Sequence, residues 1–81
     1  SMSESETVQN SQKLRQTRIF RVDPALDSSG EVTMLAHLKI SEGGGNLAPR
    51  VYFHDDTSGV TGKVHVGFVG PHYLVPNKST N

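Results

Sequence analysis

The chain has 81 residues, and 33% of them are hydrophobic, so it can form one small domain with a thin core but not two domains. It contains no cysteine, which excludes a disulfide framework, a thiolate zinc site and thiol catalysis. Eight Lys and Arg residues balance eight Asp and Glu residues, and this balance disfavours the broad basic field of a stand-alone nucleic-acid binder. No apolar stretch approaches the roughly 18 residues of a membrane span, so the composition predicts a cytoplasmic protein without a membrane partner.

The start of the chain has the composition of a disordered segment. Val8 is its only apolar residue besides Met2, which is too little buried surface to offset the entropy of ordering. The Ser-Met start looks like the remnant of a cleaved expression tag, so a longer natural chain is expected. The basic run that follows, KLRQTR, is predicted to be one helical turn or a linker. The chain is therefore divided into a disordered lead-in over 1–12, a single small β domain over 13–76 and a frayed polar tail over 77–81.

From Arg18 onward, short β-branched and aromatic runs alternate with clusters of turn-forming residues, which is typical of strands joined by turns. The second run could also form a helix over MLAHLKI, but its two-residue alternation favours a strand. The predicted fold is mainly all-β, a small antiparallel sheet of about four strands arranged as a meander or half-barrel. The predicted strands are 18–22, 31–40, 50–54 and 63–69.

A period of two sorts the residues of the last three predicted strands onto two faces. A single sheet leaves its apolar face exposed, so a covering partner is expected, either a second copy or a neighbouring domain of a longer chain. The opposite face collects titratable side chains, and a hairpin closing near His54 would place Tyr52 across from His65 and Arg50 across from Gly67. The predicted apolar face is Val32, Met34, Ala36, Leu38, Ile40, Val51, Phe53, Val64, Val66 and Phe68. The predicted opposite face is Leu35, His37, Lys39, Arg50, Tyr52, His54, Lys63, His65, Gly67 and Val69.

The titratable face has a simple explanation, because polar residues belong where a sheet meets water. It is also suited to binding: its cations could hold a phosphate or the backbone of a single-stranded nucleic acid while Tyr52 stacks on a base. The sequence therefore favours a binding or assembly module over an enzyme. The candidate ligand-binding residues are His37, Lys39, Arg50, Tyr52, His54, Lys63 and His65.

Two alternatives stay open. One is a small metal-independent, nuclease-like hydrolase in which His54, His65 or Tyr52 transfers protons. The other is a purely structural oligomerisation domain. Imidazole and carboxylate groups could also bind a divalent ion, but their spacing fits no standard metal motif, so no metal or other cofactor is expected. The residues considered for such an ion are His54, Asp55, Asp56, His65 and His72.

The stretch from Arg50 to Asn81, above all TGKVHVGFVGPH followed by PNKSTN, resembles the closing segment of some larger, uncharacterised bacterial proteins. In that pattern a Lys-containing strand runs into a Gly-aromatic-hydrophobic-Gly-x-His turn and an Asn/Thr-rich end. The resemblance implies a C-terminal module of a multidomain bacterial protein and identifies no catalytic residue.

Overall fold

The structure is a computed structural model that describes residues 3–40 and 45–78. The Ser-Met start, residues 41–44 of the glycine-rich connection and residues 79–81 of the predicted tail lie outside the described residues. The predicted antiparallel, mainly β fold is confirmed, as two small open sheets with the strand orders β1-β2 and β3-β4-β5. The elements are α1 (Glu6–Asn10), α2 (Gln12–Gln16), β1 (Ile19–Arg21), β2 (Glu31–Thr33), β3 (His37–Lys39), β4 (Pro49–Asp55), β5 (Val64–Pro71) and a 3₁₀ helix (His72–Leu74).

The predicted second strand is two strands, β2 and β3, which belong to different sheets. The amide of Met34 donates to the carbonyl of Arg18 (2.8 Å) and so extends the pairing of β2 with β1. Two residues later, the carbonyl of Ala36 accepts from the amide of Phe53 (3.2 Å) in β4. The chain thus bends between these two bonds and passes from one sheet to the other, which is why one long strand does not form.

The pairing of β4 with β5 contains a bulge at Gly67. Tyr52 pairs with Phe68 but the next residue, Phe53, pairs with Val66, so Gly67 has no partner of its own. The predicted pairs of Tyr52 with His65 and of Arg50 with Gly67 are wrong for two reasons. The hairpin closes at Asp56, whose amide donates to the carbonyl of Lys63, two residues later than predicted, and the bulge shifts the register by one more residue. The observed pairs are Tyr52 with Phe68, Arg50 with Gly70 and His54 with His65.

The core lies between the two sheets. Its fully buried members are Met34, Tyr52 and Val75, which come from the bend, from β4 and from the segment after the 3₁₀ helix. Aromatic rings pack around Tyr52: the Phe20 ring lies 5.7 Å from it and the Phe68 ring 6.4 Å from it, centroid to centroid. The remaining partly buried side chains of the core are Phe20, Val22, Val32 and Phe68.

The segment before β1 is helical, where its composition predicted a disordered lead-in and a single helical turn. Ser5 and Ser11 cap the two helices, since each hydroxyl accepts from the amide three residues later. Val8 and Leu14, one in each helix, are buried. The caps and the burial of these two side chains stabilise helices that lack a periodic apolar stripe. No helix in the described part of the chain is long and apolar enough to cross a membrane.

Candidate functional site

The register of the three-stranded sheet places most of the predicted ligand-binding side chains on one face, which we call the inner face. Its middle is covered by β1, β2 and the segment around Val75. Lys63 is not part of it, because this residue precedes β5 and lies in the turn. The cross-strand pairs of the inner face are His37 with Tyr52, Lys39 with Arg50 and His54 with His65.

The prediction that this face meets water is wrong at its centre. Tyr52 is 1% exposed and His37 is 7% exposed, and their rings stack at 4.7 Å between centroids. The bulge at Gly67 turns Phe68 onto the same face, so an aromatic cluster forms here instead of a row of exposed polar groups. The two ends of the inner face remain accessible to solvent: Lys39 is exposed at one end, and His65 is half-buried at the other.

A buried polar cluster of Glu4, Arg18 and Tyr52 lies against the centre of the inner face. Nε of Arg18 donates to Oε2 of Glu4 (2.7 Å), and the Tyr52 hydroxyl donates to the same oxygen. Nδ1 of His37 donates to the carbonyl of Leu35 (3.1 Å) and lies 3.9 Å from that carboxylate oxygen. Burial, together with the hydrogen bond to Glu4, raises the pKa of the Tyr52 phenol far above its ordinary value.

The guanidinium of Arg18 is fully buried, so its charge and its donors all need partners. Besides Glu4, it donates to the hydroxyl of Thr17 (2.7 Å) and to the carbonyls of Val75 (3.1 Å) and Pro76. One side chain therefore ties together the N-terminal segment, the start of β1 and the C-terminal segment. Each of the three guanidinium nitrogens therefore has at least one acceptor within the described part of the chain.

His54 and His65 lie across from each other where β4 and β5 approach their turn. The Thr61 hydroxyl donates to Oδ2 of Asp56 (2.6 Å), so the 2.7 Å contact between Thr61 Oγ1 and His65 Nε2 requires His65 to donate. The Thr61 amide donates to the same carboxylate oxygen (2.8 Å), and these bonds hold the pKa of Asp56 below its usual value. The arrangement closes a turn, and its carboxylate and hydroxyl are already engaged.

Arg50 and His72 lie at the opposite end of the sheet. The Arg50 guanidinium donates to the carbonyls of Ala48 and Pro49, each at 3.4 Å. Nδ1 of His72 is buried without a hydrogen-bond partner among the described residues. Burial and the nearby charge of Arg50 lower the pKa of His72, so this imidazole is neutral at neutral pH.

The candidate metal ligands do not converge. Among residues 3–40 and 45–78, no group of three or more His, Cys, Asp and Glu side chains could hold a metal ion. Asp55 accepts from the amide and the hydroxyl of Thr57 (2.9 and 2.7 Å), as Asp56 does from Thr61. Both carboxylates thus close turns at the end of the hairpin.

The other face of the sheet, which we call the outer apolar face, is not covered by any element of residues 3–40 and 45–78. Leu38, Val51 and Val69 are aligned across the three strands, and Phe53 pairs with Val66. The aliphatic side chains at its margins and centre are between 46 and 63% exposed, namely Leu38, Ile40, Val64, Val66 and Val69. The outer apolar face consists of Leu38, Ile40, Val51, Phe53, Val64, Val66 and Val69.

The reading of the sequence missed Glu4, Arg18 and Thr61 as members of polar networks. Glu4 lies in a segment whose composition predicted disorder, and Arg18 is the first residue of a predicted strand, where a cation at the surface is common. Their pairing joins residues 14 positions apart and depends on a buried tyrosine 48 positions from Glu4. No local pattern signals such a contact. Thr61 offered a weak signal, since it lies in the same predicted turn as Asp56, five residues later, and turn carboxylates commonly accept hydrogen bonds from nearby amides and hydroxyls.

Comparison with protein-family models, with curated protein sequences and with solved structures finds no match to this chain.

Proposed function

We propose that this chain is an assembly module that pairs with a second copy of itself through the outer apolar face. The observation that supports the proposal is that the two faces of the sheet have the opposite of the expected exposure. The inner face holds the titratable residues and forms the core, whereas the outer apolar face holds exposed aliphatic side chains. An exposed apolar patch of this kind marks a surface that is covered in the working protein.

The size of the face sets the expected affinity. The strands lie about 4.8 Å apart, and at about 3.4 Å per residue β3, β4 and β5 are about 10, 24 and 27 Å long, so they present about 290 Å² in projection, or about 590 Å² for two copies. At about 25 cal/mol per Å², covering this area stabilises the pair by about 15 kcal/mol. An association cost of about 10 kcal/mol leaves about 5 kcal/mol. The expected dissociation constant is therefore about 0.2 mM.

The chemistry of the face suits a second copy. A twofold-symmetric interface places the same surface on both sides, so it must not repel itself. The outer apolar face meets this condition because its members are uncharged, and Asp55, at the end of β4, is the one charged side chain beside them among the described residues of the sheet. If the strands of the two copies run in opposite directions, the two Asp55 carboxylates lie at opposite ends of the interface. We therefore expect an antiparallel, face-to-face pair of sheets.

Binding of a phosphate or a nucleic acid on the inner face has less support than assembly through the outer apolar face. Stacking on a base requires an accessible aromatic ring, and the Tyr52 ring is enclosed by Phe20, Phe68 and His37. Arg50 and Lys39 on one side and His54 and His65 on the other are separated by that buried cluster. They do not form one continuous binding surface.

The test is Val66→Lys, which places a charge at the centre of the outer apolar face, with Val60→Lys as the matched control. Val60 is 92% exposed in the turn between β4 and β5, away from the sheet. Sedimentation velocity over concentrations from about one-tenth to about ten times the expected dissociation constant should show a dimer for the wild type and for Val60→Lys. Val66→Lys should stay monomeric while its circular dichroism is unchanged.

Two results would contradict the proposal. One is a wild-type chain that stays monomeric at the highest concentration, which would leave a neighbouring domain as the covering partner. The other is a Val66→Lys chain that associates as strongly as the control, which would place the interface elsewhere.

A further inference from the structure

Glu4 is a buried carboxylate, and a carboxylate is rarely buried without several hydrogen-bond donors. Its side chain is 6% exposed, and Oε2 accepts from Arg18 Nε (2.7 Å) and from the Tyr52 hydroxyl. His37 adds a third polar group at 3.9 Å. Glu4 itself comes from outside the sheets, in the residues just before α1.

The donors are fixed by groups other than Glu4. The Arg18 guanidinium is held by the Thr17 hydroxyl and by the carbonyls of Val75 and Pro76. The Tyr52 ring is held by aromatic contacts on both sides, at 4.7 Å from His37 and 5.7 Å from Phe20. A guanidinium and a hydroxyl aimed at one point in a dry environment form a carboxylate receptor that does not need Glu4 for its shape.

We infer that Arg18 and Tyr52, with His37 beside them, form a carboxylate-binding site that the chain fills with its own Glu4, and that this site accepts a small free monocarboxylate when the Glu4 carboxylate is absent. The size of the ligand follows from the covalent structure. Replacing Glu4 by Ala removes one methylene and the carboxylate, which together have the heavy atoms of acetate. The space left behind matches acetate, with its charge next to Arg18.

Glu4 in the intact chain competes with any free ligand, because its attachment gives it a high effective concentration. Free acetate at millimolar concentrations should therefore not bind to the wild-type chain or change its melting temperature. In Glu4→Ala the guanidinium of Arg18 is buried without its counter-charge, so a free carboxylate gains a site and raises the melting temperature as any ligand of the folded state does.

The experiment uses the full chain with Tyr73→Phe as background, so that Tyr52 is the one remaining tyrosine. Glu4→Ala is compared with Glu6→Ala, which removes an exposed carboxylate from the first turn of α1. Each protein is titrated with sodium acetate and, at equal ionic strength, with sodium chloride. Tyrosine fluorescence and the melting temperature from circular dichroism are recorded.

We expect acetate to raise the melting temperature of Glu4→Ala saturably, with half of the effect in the millimolar range, and to return its Tyr52 fluorescence toward the value of the background protein. Chloride should have no such effect, and Glu6→Ala should not distinguish the two salts. Equal responses to acetate and chloride, or the same acetate response in Glu6→Ala, would overturn the inference.

If Glu4→Ala does not fold in chloride, its recovery is measured instead. Restoration of the circular dichroism of the background protein by acetate supports the site. Absence of recovery in acetate, under conditions in which the background protein is folded, overturns it.

Discussion

Gly67 lies where β5 passes closest to the core, and Gly67→Ala tests this packing. A Cβ atom at this position would lie 2.6 Å from the sulfur of Met34 and 2.7 Å from Cβ of Phe20. Ordinary contacts between carbon atoms are about 3.5–4.0 Å. The Met34 thioether can rotate away, but Cβ of Phe20 is attached to the backbone of β1, so the hairpin β1-β2 must move by about 1 Å. The cavity between the sheets has no room for the methyl group.

The two contributions to the free energy of unfolding have opposite signs. Overpacking of a core costs about 1–3 kcal/mol. Ala has less conformational freedom than Gly in the unfolded chain, and this difference raises the free energy of unfolding by about 0.4–1 kcal/mol. The contact with Cβ of Phe20, which cannot rotate away, places the overpacking cost near the upper end of its range. The net destabilisation of Gly67→Ala is then about 2 kcal/mol, which lowers the melting temperature of a domain of this size by about 8–16 °C.

The measurement is thermal unfolding followed by circular dichroism, at a concentration well below the expected dissociation constant of the dimer. Val60→Ala serves as the control, because this side chain is 92% exposed and its removal should change the free energy of unfolding by less than about 0.5 kcal/mol. A Gly67→Ala protein as stable as the control would refute the close approach of β5 to Phe20 and Met34.

Two further predictions concern titration. Burial and the hydrogen bond to Glu4 raise the pKa of Tyr52 above its ordinary value of 10.0, so its contribution to stability is present below that pH and is lost as the pH rises further. In Tyr73→Phe, phenolate absorbance should appear only as the protein unfolds, and a midpoint near 10.0 in folded protein would disprove this. The bonds from the hydroxyl and amide of Thr61 hold the pKa of Asp56 below 3.8, so its contribution is present above that pH and is lost as the pH falls through the lowered pKa. Thr61→Val should raise the Asp56 midpoint toward 3.8 in an NMR titration; an unchanged midpoint would count against the bond.

Local chemistry predicted the strands and turns well. The runs at 50–54 and 63–69 correspond to Pro49–Asp55 and Val64–Pro71, because β-branched and aromatic alternation ends at turn-forming residues in both. The division of the run at 31–40 was not predictable in this way. Its alternation continues unbroken through Met34, and the bend depends on hydrogen bonds to Arg18 and Phe53, which lie in different parts of the chain.

The N-terminal segment shows the limit of composition as a guide. Few apolar residues predicted disorder, yet Val8 and Glu4 each find a buried place. The Glu4 carboxylate helps to order the N-terminal segment because the fold buries the Arg18 guanidinium, and a buried guanidinium without a counter-charge is strongly unfavourable. Only the folded structure shows that Arg18 is buried and requires this carboxylate.

The sequence by itself determined which side chains share a face wherever a strand is uninterrupted, because the two-residue period of a strand is a property of the backbone. Of the predicted apolar set, Leu38, Ile40, Val64 and Val66 are exposed on the outer apolar face, whereas Val32, Met34 and Phe68 pack in the core. The predicted faces of Phe68 and Val69 are wrong, because the bulge exchanges them. Tertiary packing decided which face lies inside. The hairpin β1-β2 and Val75 close over Tyr52, the extra residue at Gly67 turns Phe68 toward them, and Glu4 neutralises Arg18 beside them. These contacts join distant parts of the chain, and no period within one strand records them.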